Sequence, residues 1–342
     1  FRIHFEVPGE QPLDEFYRLP FPNDARVVDG EIDLSGHPSP GGLIPQVGDV
    51  VGEILEVAEQ DMGAFGNNQA VLMRFSDEVD YDSLVMDDPG VGTLYILDVT
   101  TFSGDFGTRR SGGYRASGDA GLYICPNWIS LTPPDGRPYT PGHTYAAVLT
   151  TGVLSEQGGE PAAQDPDFAA MLSATEPAEV RLQHAWDAYD PFRRWLDESG
   201  TAPSTIAGAA VFTVQRPGEP MAALRQAVWE DDEPEVDGLI LCQEGDLGPY
   251  ADGIDEGRGC TEVHAAYDEV QGMVSLPRFQ EGTAPYKLPA HGGALAAAPV
   301  DHDDVVFSLT IPRGTEMPES GWPLVLFGHG TGGNYRTFVL EG

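Results

Sequence analysis

Lysine is almost missing from this chain. Among 342 residues only Lys287 is a lysine, and 18 basic residues in all face 55 acidic ones for a net charge of -37. So negative a surface is repelled by nucleic acid and by anionic membranes, and neither is expected as a partner. Solubility, in salty surroundings included, accounts for the charge. Acidic runs such as Trp229 to Gly238, "WEDDEPEVDG", lack the ligand spacing of a calcium loop. No apolar run approaches the roughly 20 residues of a membrane-spanning helix. No signal peptide is recognisable, but the chain begins at Phe1 rather than Met, which leaves a removed leader or a missing upstream segment open.

Cysteine is scarce as well. Three residues are too few for a disulfide scaffold. Cys242 and Cys260 flank the loop "QEGDLGPYADGIDEGRG" and would close it as a disulfide in an oxidising compartment. Two free thiols, or a zinc site with His264 as third ligand and no evident fourth, are the alternatives. Cys125, in "GLYICPNW", reads as a small buried hydrophobe.

Glycine (42) and proline (29) are plentiful, which favours short elements joined by turns over a helical bundle. The length suffices for two domains with separate cores. "RIHFEV" (Arg2 to Val7), "AVLMRF" (Ala70 to Phe75), "TLYILDV" (Thr93 to Val99) and "TYAAVLTTGVL" (Thr144 to Leu154) are β-branched, aromatic and aliphatic runs bounded by Gly, Pro and Asp. Strands at this density without helices between them predict a sandwich over residues 1–160. A helical connecting segment with one strand follows over 161–236. In "AEVRLQHAWDAYDPFRRWL" the apolar positions from Leu182 to Leu196 step by three and four. Pro191 predicts a kink or restart there with Asp190 as cap, and Gly200 ends the helix. "AGAAVFTVQ" (Ala207 to Gln215) is the strand and "MAALRQAVW" (Met221 to Trp229) a short helix. Over 237–342 strands resume in "LILC", "GMVSLPRF", "DVVFSLTIP" and "WPLVLFG". The continuous "LVLF" predicts a central strand covered on both faces.

That last strand runs into "GHGTGG", Gly328 to Gly333. Gly328, Gly330 and Gly333 satisfy the dinucleotide fingerprint, but the preceding chain reads as two strands joined by a loop, without the crossover helix the fingerprint requires. The other reading is His-Gly-x-Gly-Gly after a hydrophobic strand, the oxyanion loop of serine hydrolases. A tetrahedral intermediate places negative charge on the former carbonyl oxygen, and fixed backbone N–H groups must already face it. In this reading Thr331, between Gly330 and Gly332, offers its N–H, and His329 braces the loop rather than acting as a base. A purely structural turn is the third reading.

Several segments resemble the N-terminal region of secreted bacterial lipases of the virulence-factor type, a group that includes surface-exposed lysophospholipases. They are "LPFPND" (Leu19 to Asp24), "VLMRFSDEVDYDSL" (Val71 to Leu84), "YTPGHTYAAVLTTGVLSEQGGEP" (Tyr139 to Pro161), "AGAAVFTVQ", "GMVSLPRFQEGTAPY" and "VVFSLTIP…GWPLVLFGHGTGG", in that order. The second and third also resemble bacterial Ig-like domains. The resemblance implies an Ig-like β-sandwich (1–160), the connecting segment (161–236) and the first strands of an α/β-hydrolase sheet (237–342). It implies an ester or lipid substrate, no cofactor or metal, and a secreted or cell-surface location with any membrane anchor outside this chain.

No serine lies in a G-x-S-x-G elbow. Ser308, Ser320 and His302 lie near the glycine turn without that context and read as surface positions. Residues 1–342 are therefore expected to be the N-terminal part of a longer enzyme and not to turn over substrate by themselves. A non-enzymatic Ig-like surface module and, less favoured, a dinucleotide-binding protein are the competing functions.

Overall fold

The computed structural model describes residues 1–9, 13, 15–39, 41, 48–86, 91–244, 250, 259–260, 264–280 and 298–340. Lys287, most of the loop between Cys242 and Cys260, and the last residues of "GMVSLPRFQEGTAPY" lie outside them. The chain is β-rich with several antiparallel sheets, and it divides into two compact units, Phe1–Pro217 and Gly218–Gly342.

The first unit opens with a short hairpin, β1 (Val27–Val28) with β2 (Glu31–Ile32), and a helix, α1 (Val50–Asp61). Then come β3 (Val71–Arg74), β4 (Leu94–Asp98), β5 (Arg109–Arg110), β6 (Gly113–Ser117), β7 (Trp128–Thr132) and β8 (Thr144–Thr150). Three helices, α2 (Pro166–Met171), α3 (Val180–Ala188) and α4 (Asp190–Ser199), precede β9 (Ile206–Thr213). Two antiparallel sheets result, ordered β3-β7-β6 and β5-β4-β8-β9.

Alternation along the strands sets up two cores. Leu94, Ile96, Tyr145, Ala147 and Phe212 of the larger sheet join Val71, Met73, Ile129 and Leu131 of the smaller one in a single buried cluster. The opposite face of the larger sheet, with Tyr95, Leu97, Ala146, Val148 and Val211, packs on Phe168, Leu182, Phe192 and Trp195 of the helices. Covered on both faces, β8 and β9 are apolar almost throughout, as such strands must be. The strand of the 161–236 segment thus completes the first unit's sheet, its three helices cover that sheet, and residues from Gly218 onward go with the second unit.

"RIHFEV" is not a regular strand, because Arg2 and Ile3 make only isolated bridges. Its alternation is still used: Ile3 enters the first core, Phe5 and Val7 the second. A Cβ on Gly208 would lie 3.0 Å from Ile3 Cγ2, so β9 carries no side chain where this segment crosses it. The helical break near Pro191 falls at Tyr189, one residue earlier than the expected cap, and Asp190 instead pairs with Arg194 at 2.7 Å. Gly200, at φ 68°, ends α4 in the left-handed conformation that glycine adopts without penalty.

The second unit holds a helix, α5 (Gly218–Glu230), and β10 (Val236–Leu241), β11 (Tyr267–Arg278) and β12 (Asp301–Pro312), in one antiparallel sheet ordered β10-β11-β12. A last turn of helix, α6, spans Thr337–Leu340. Cys242 and Cys260 are joined by a disulfide, Cα to Cα 4.9 Å. Both thiols are thereby used, and His264 stacks on Tyr267 with ring centroids 4.4 Å apart. Cys125 is half-buried against the first unit's core, and burial pushes its thiol pKa up.

Candidate functional site

The segment before the glycine turn corrects the sequence expectation. Residues 321–330 form no strand, and Leu324, Val325, Leu326 and Phe327 are 72%, 85%, 91% and 55% exposed. A run this apolar is stable as a strand only with neighbours on both edges and cover on its faces, and the described residues provide neither.

The turn itself is locally well determined. Gly333 N donates to Gly330 O at 3.0 Å, and Gly332 sits at φ 84°, where an L side chain would be strained. A Cβ on Gly333 would meet His329 Cβ and Thr337 Oγ1, each at 2.9 Å. The His329 ring donates from Nδ1 to Gly330 O at 3.0 Å and so lies along the loop. His329, Gly330, Thr331 and Gly332 are all exposed. The N–H groups of Thr331 and Gly332 make no hydrogen bond among the described residues. Two adjacent, unsatisfied amides beside a left-handed glycine can bind an anion or an oxyanion.

Comparison with protein-family models, with curated proteins and with solved structures finds no match to this chain. The site therefore stands on its own geometry.

Downstream, the turn leads into a buried polar cluster that the sequence reading missed. Arg336 is 2% exposed and grips Glu269 of β11 with both ends of its fork, Nε to Oε1 at 2.7 Å and Nη2 to Oε2 at 2.8 Å. Ser308 of β12 donates to the same Oε1 at 2.7 Å, and Gln271 Nε2 does so at 3.1 Å. Burial alone pushes the Glu269 carboxyl up, but hydrogen bonds from Arg336, Ser308 and Gln271 outweigh it and hold its pKa below the usual range. Ser308, read as a surface position, is thus a structural donor. His302 bonds Asp231 at 2.9 Å and Ser320 is exposed, so neither belongs to the turn. A dinucleotide crevice needs parallel strands around the turn, and the strands described in this unit are antiparallel.

Among the described residues one group could hold a metal ion: Asp98, Asp105 and His143 of the first unit, with ligand atoms within 4.8 Å of one another. Asp98 accepts from His143 Nδ1 at 2.6 Å and from Thr100 N at 2.9 Å, so two of the three already form a hydrogen-bonded clamp. The "LPFPND" segment is structural too. Asn23 donates to Tyr189 OH at 2.9 Å, and Asp24 accepts from Thr213 N and Oγ1 at 2.8 and 2.7 Å. Burial raises the Asp24 carboxyl to about 6, with the Thr213 bonds offsetting only part of the effect.

Proposed function

We propose that these residues belong to a secreted or surface-anchored bacterial carboxylic-ester hydrolase. Residues 1–217 carry its Ig-like sandwich, with α2, α3 and α4 laid on the larger sheet, and residues 218–342 begin its α/β-hydrolase sheet. The observation that carries this reading is the exposed His-Gly-x-Gly-Gly turn, whose Thr331 and Gly332 amides have no partner among the described residues. The uncovered Leu324 to Phe327 run supports it, since such a run asks for further strands beside it. A serine outside these residues attacks the acyl carbon. Its proton passes to a histidine base, the carbonyl π pair moves to oxygen, and the Thr331 N–H steadies that oxyanion until the alcohol leaves. The substrate class is an ester of the glycerolipid kind. No nucleic acid and no cofactor take part. No helix among the described residues is long and apolar enough to cross a membrane.

The test is labelling of the complete protein with a fluorophosphonate, alongside hydrolysis of p-nitrophenyl butyrate. Covalent labelling at a serine together with ester turnover is the expected result. A protein that neither labels nor hydrolyses any of a short-to-long acyl series is not a serine esterase. The self-sufficient cores of the first unit favour a second reading, a display or adhesion module. It predicts that second result.

A further inference from the structure

Few side chains among the described residues of the second unit are buried, and they are polar or disulfide-bonded. Among its described residues the buried ones other than glycine are Cys242, Cys260, Glu269, Gln271 and Arg336. A buried ion pair is rarely worth its desolvation as plain stabilisation, and its better attested use is to fix one arrangement of chain. The arrangement fixed here is that of the glycine turn.

Upstream of the turn, residues 322–328 make no backbone hydrogen bond among the described residues and lie largely exposed. Among the described residues, the polar ties found between the turn and the sheet come from the downstream side. Arg336 stands three residues past Gly333 and holds Glu269 through two short bonds, and Tyr267 OH adds a longer one to Val339 O at 3.3 Å. Between Gly333 and Arg336 the backbone is locked: Asn334 N donates to Thr337 Oγ1 at 2.9 Å, and Asn334 Oδ1 accepts from Arg336 N at 2.8 Å. Rigid linkage of that kind carries the orientation of the guanidinium back to the turn.

The geometry points to Glu269 and Arg336 as positioning residues that aim the Thr331 and Gly332 amides by clamping the chain behind them onto β11. Neither residue touches substrate. Arg336 is required as an arginine, because a lysine ammonium supplies the charge without the two-pronged grip. The assignment rests on the ester-hydrolase reading only for its catalytic consequence, and the clamp itself is testable without it.

The experiment compares the wild-type chain with Arg336→Lys and Ser308→Ala by ¹⁵N relaxation at Thr331, Gly332 and Gly333, and reads amide exchange across the β11–β12 ladder in the same samples. In Arg336→Lys the order parameters of the turn should drop from the rigid range, about 0.85, to below about 0.6, with ladder protection unchanged. Ser308→Ala keeps the ion pair and should leave the turn rigid. An Arg336→Lys turn as ordered as wild type overturns the assignment. So does loss of ladder protection together with turn order, because the pair would then support the whole unit rather than aim the turn. In the complete enzyme Arg336→Lys should lower kcat roughly 100-fold, the scale of one lost oxyanion donor, with KM changed less than about twofold. A wild-type protein with no esterase activity would dismiss the hydrolase reading while the relaxation data still decide the clamp.

Discussion

Two stretches of this chain look alike in sequence and behave differently in the fold. "AAVL" within β8 and "LVLF" before the glycine turn are both continuous apolar runs. The first lies between β4 and β9, with a sheet packed on one face and helices on the other, and its residues are fully buried. The second has no strand beside it among the described residues and is mostly exposed. The same contrast separates the units. Phe1–Pro217 builds two hydrophobic clusters, while the buried apolar side chains described in Gly218–Gly342 are those of the disulfide, Cys242 and Cys260. Hydrophobic sequence specifies what a segment needs; the partners that meet the need lie elsewhere in the chain.

Separating the units tests that contrast most severely. Residues 1–217 alone should unfold in one cooperative thermal transition followed by near-UV circular dichroism, and residues 218–342 alone should show none. A sharp transition in the second fragment would erase the difference drawn here. Point substitutions sharpen it. Phe212→Ala in the first core should cost about 3–5 kcal/mol by denaturant unfolding, whereas Leu326→Ala, with nothing packed around it, should change stability by less than about 0.5 kcal/mol. Comparable losses at both sites would mean that the exposed run is covered after all. Replacing Cys242 and Cys260 by serine should speed amide exchange at Cys242 and along β10 and β11, where Cys242 N donates to Glu269 O, without moving the transition of the first unit.

A smaller effect than the core substitution is one of pH within the first unit. Asp24 has its folded pKa raised to about 6 by burial. The folded state therefore favours the protonated form, so the group's contribution is fully present below its unfolded pKa and is lost as pH rises through about 6. His4 acts in the opposite sense. Burial first, then the charges of Arg18, Arg74 and Arg2, lower it to about 4, so acidification from near neutrality costs stability as its unfolded form takes up a proton. Asp24→Asn separates the two. Its stability advantage over wild type should shrink by about 2 kcal/mol between pH 7.5 and 4.5. A difference that stays flat with pH would show that Asp24 is ionised in the folded protein.

The β-rich architecture was readable where periodicity and turn residues agreed: β3, β4, β8, β9, β11 and β12 fall on quoted runs, and the helical stripe from Leu182 to Leu196 folds as α3 and α4. Helix α1 was not foreseen, although Val51, Leu55 and Ala58 of its "VVGEILEVAEQD" step by four and three and Leu55 and Ala58 pack against the first core. "RIHFEV" has a strand's alternation but pairs only through single bridges, because its task is to cross between the two cores. The glycine turn was legible because glycine and histidine carry local backbone demands. Glu269 and Arg336 were not, since 67 residues separate them and no local pattern links an acid in a strand to an arginine in a distant turn.

The central claim is that the Thr331 amide faces the oxyanion of an acyl transfer, and one substitution pair isolates it. Thr331→Pro removes that N–H and Thr331→Ala keeps it. In the complete protein, assayed on p-nitrophenyl butyrate, the alanine variant should retain kcat within about threefold, and the proline variant should lose about 10²–10³-fold, the measured scale for one such donor. Equal activity in the two variants would contradict the account.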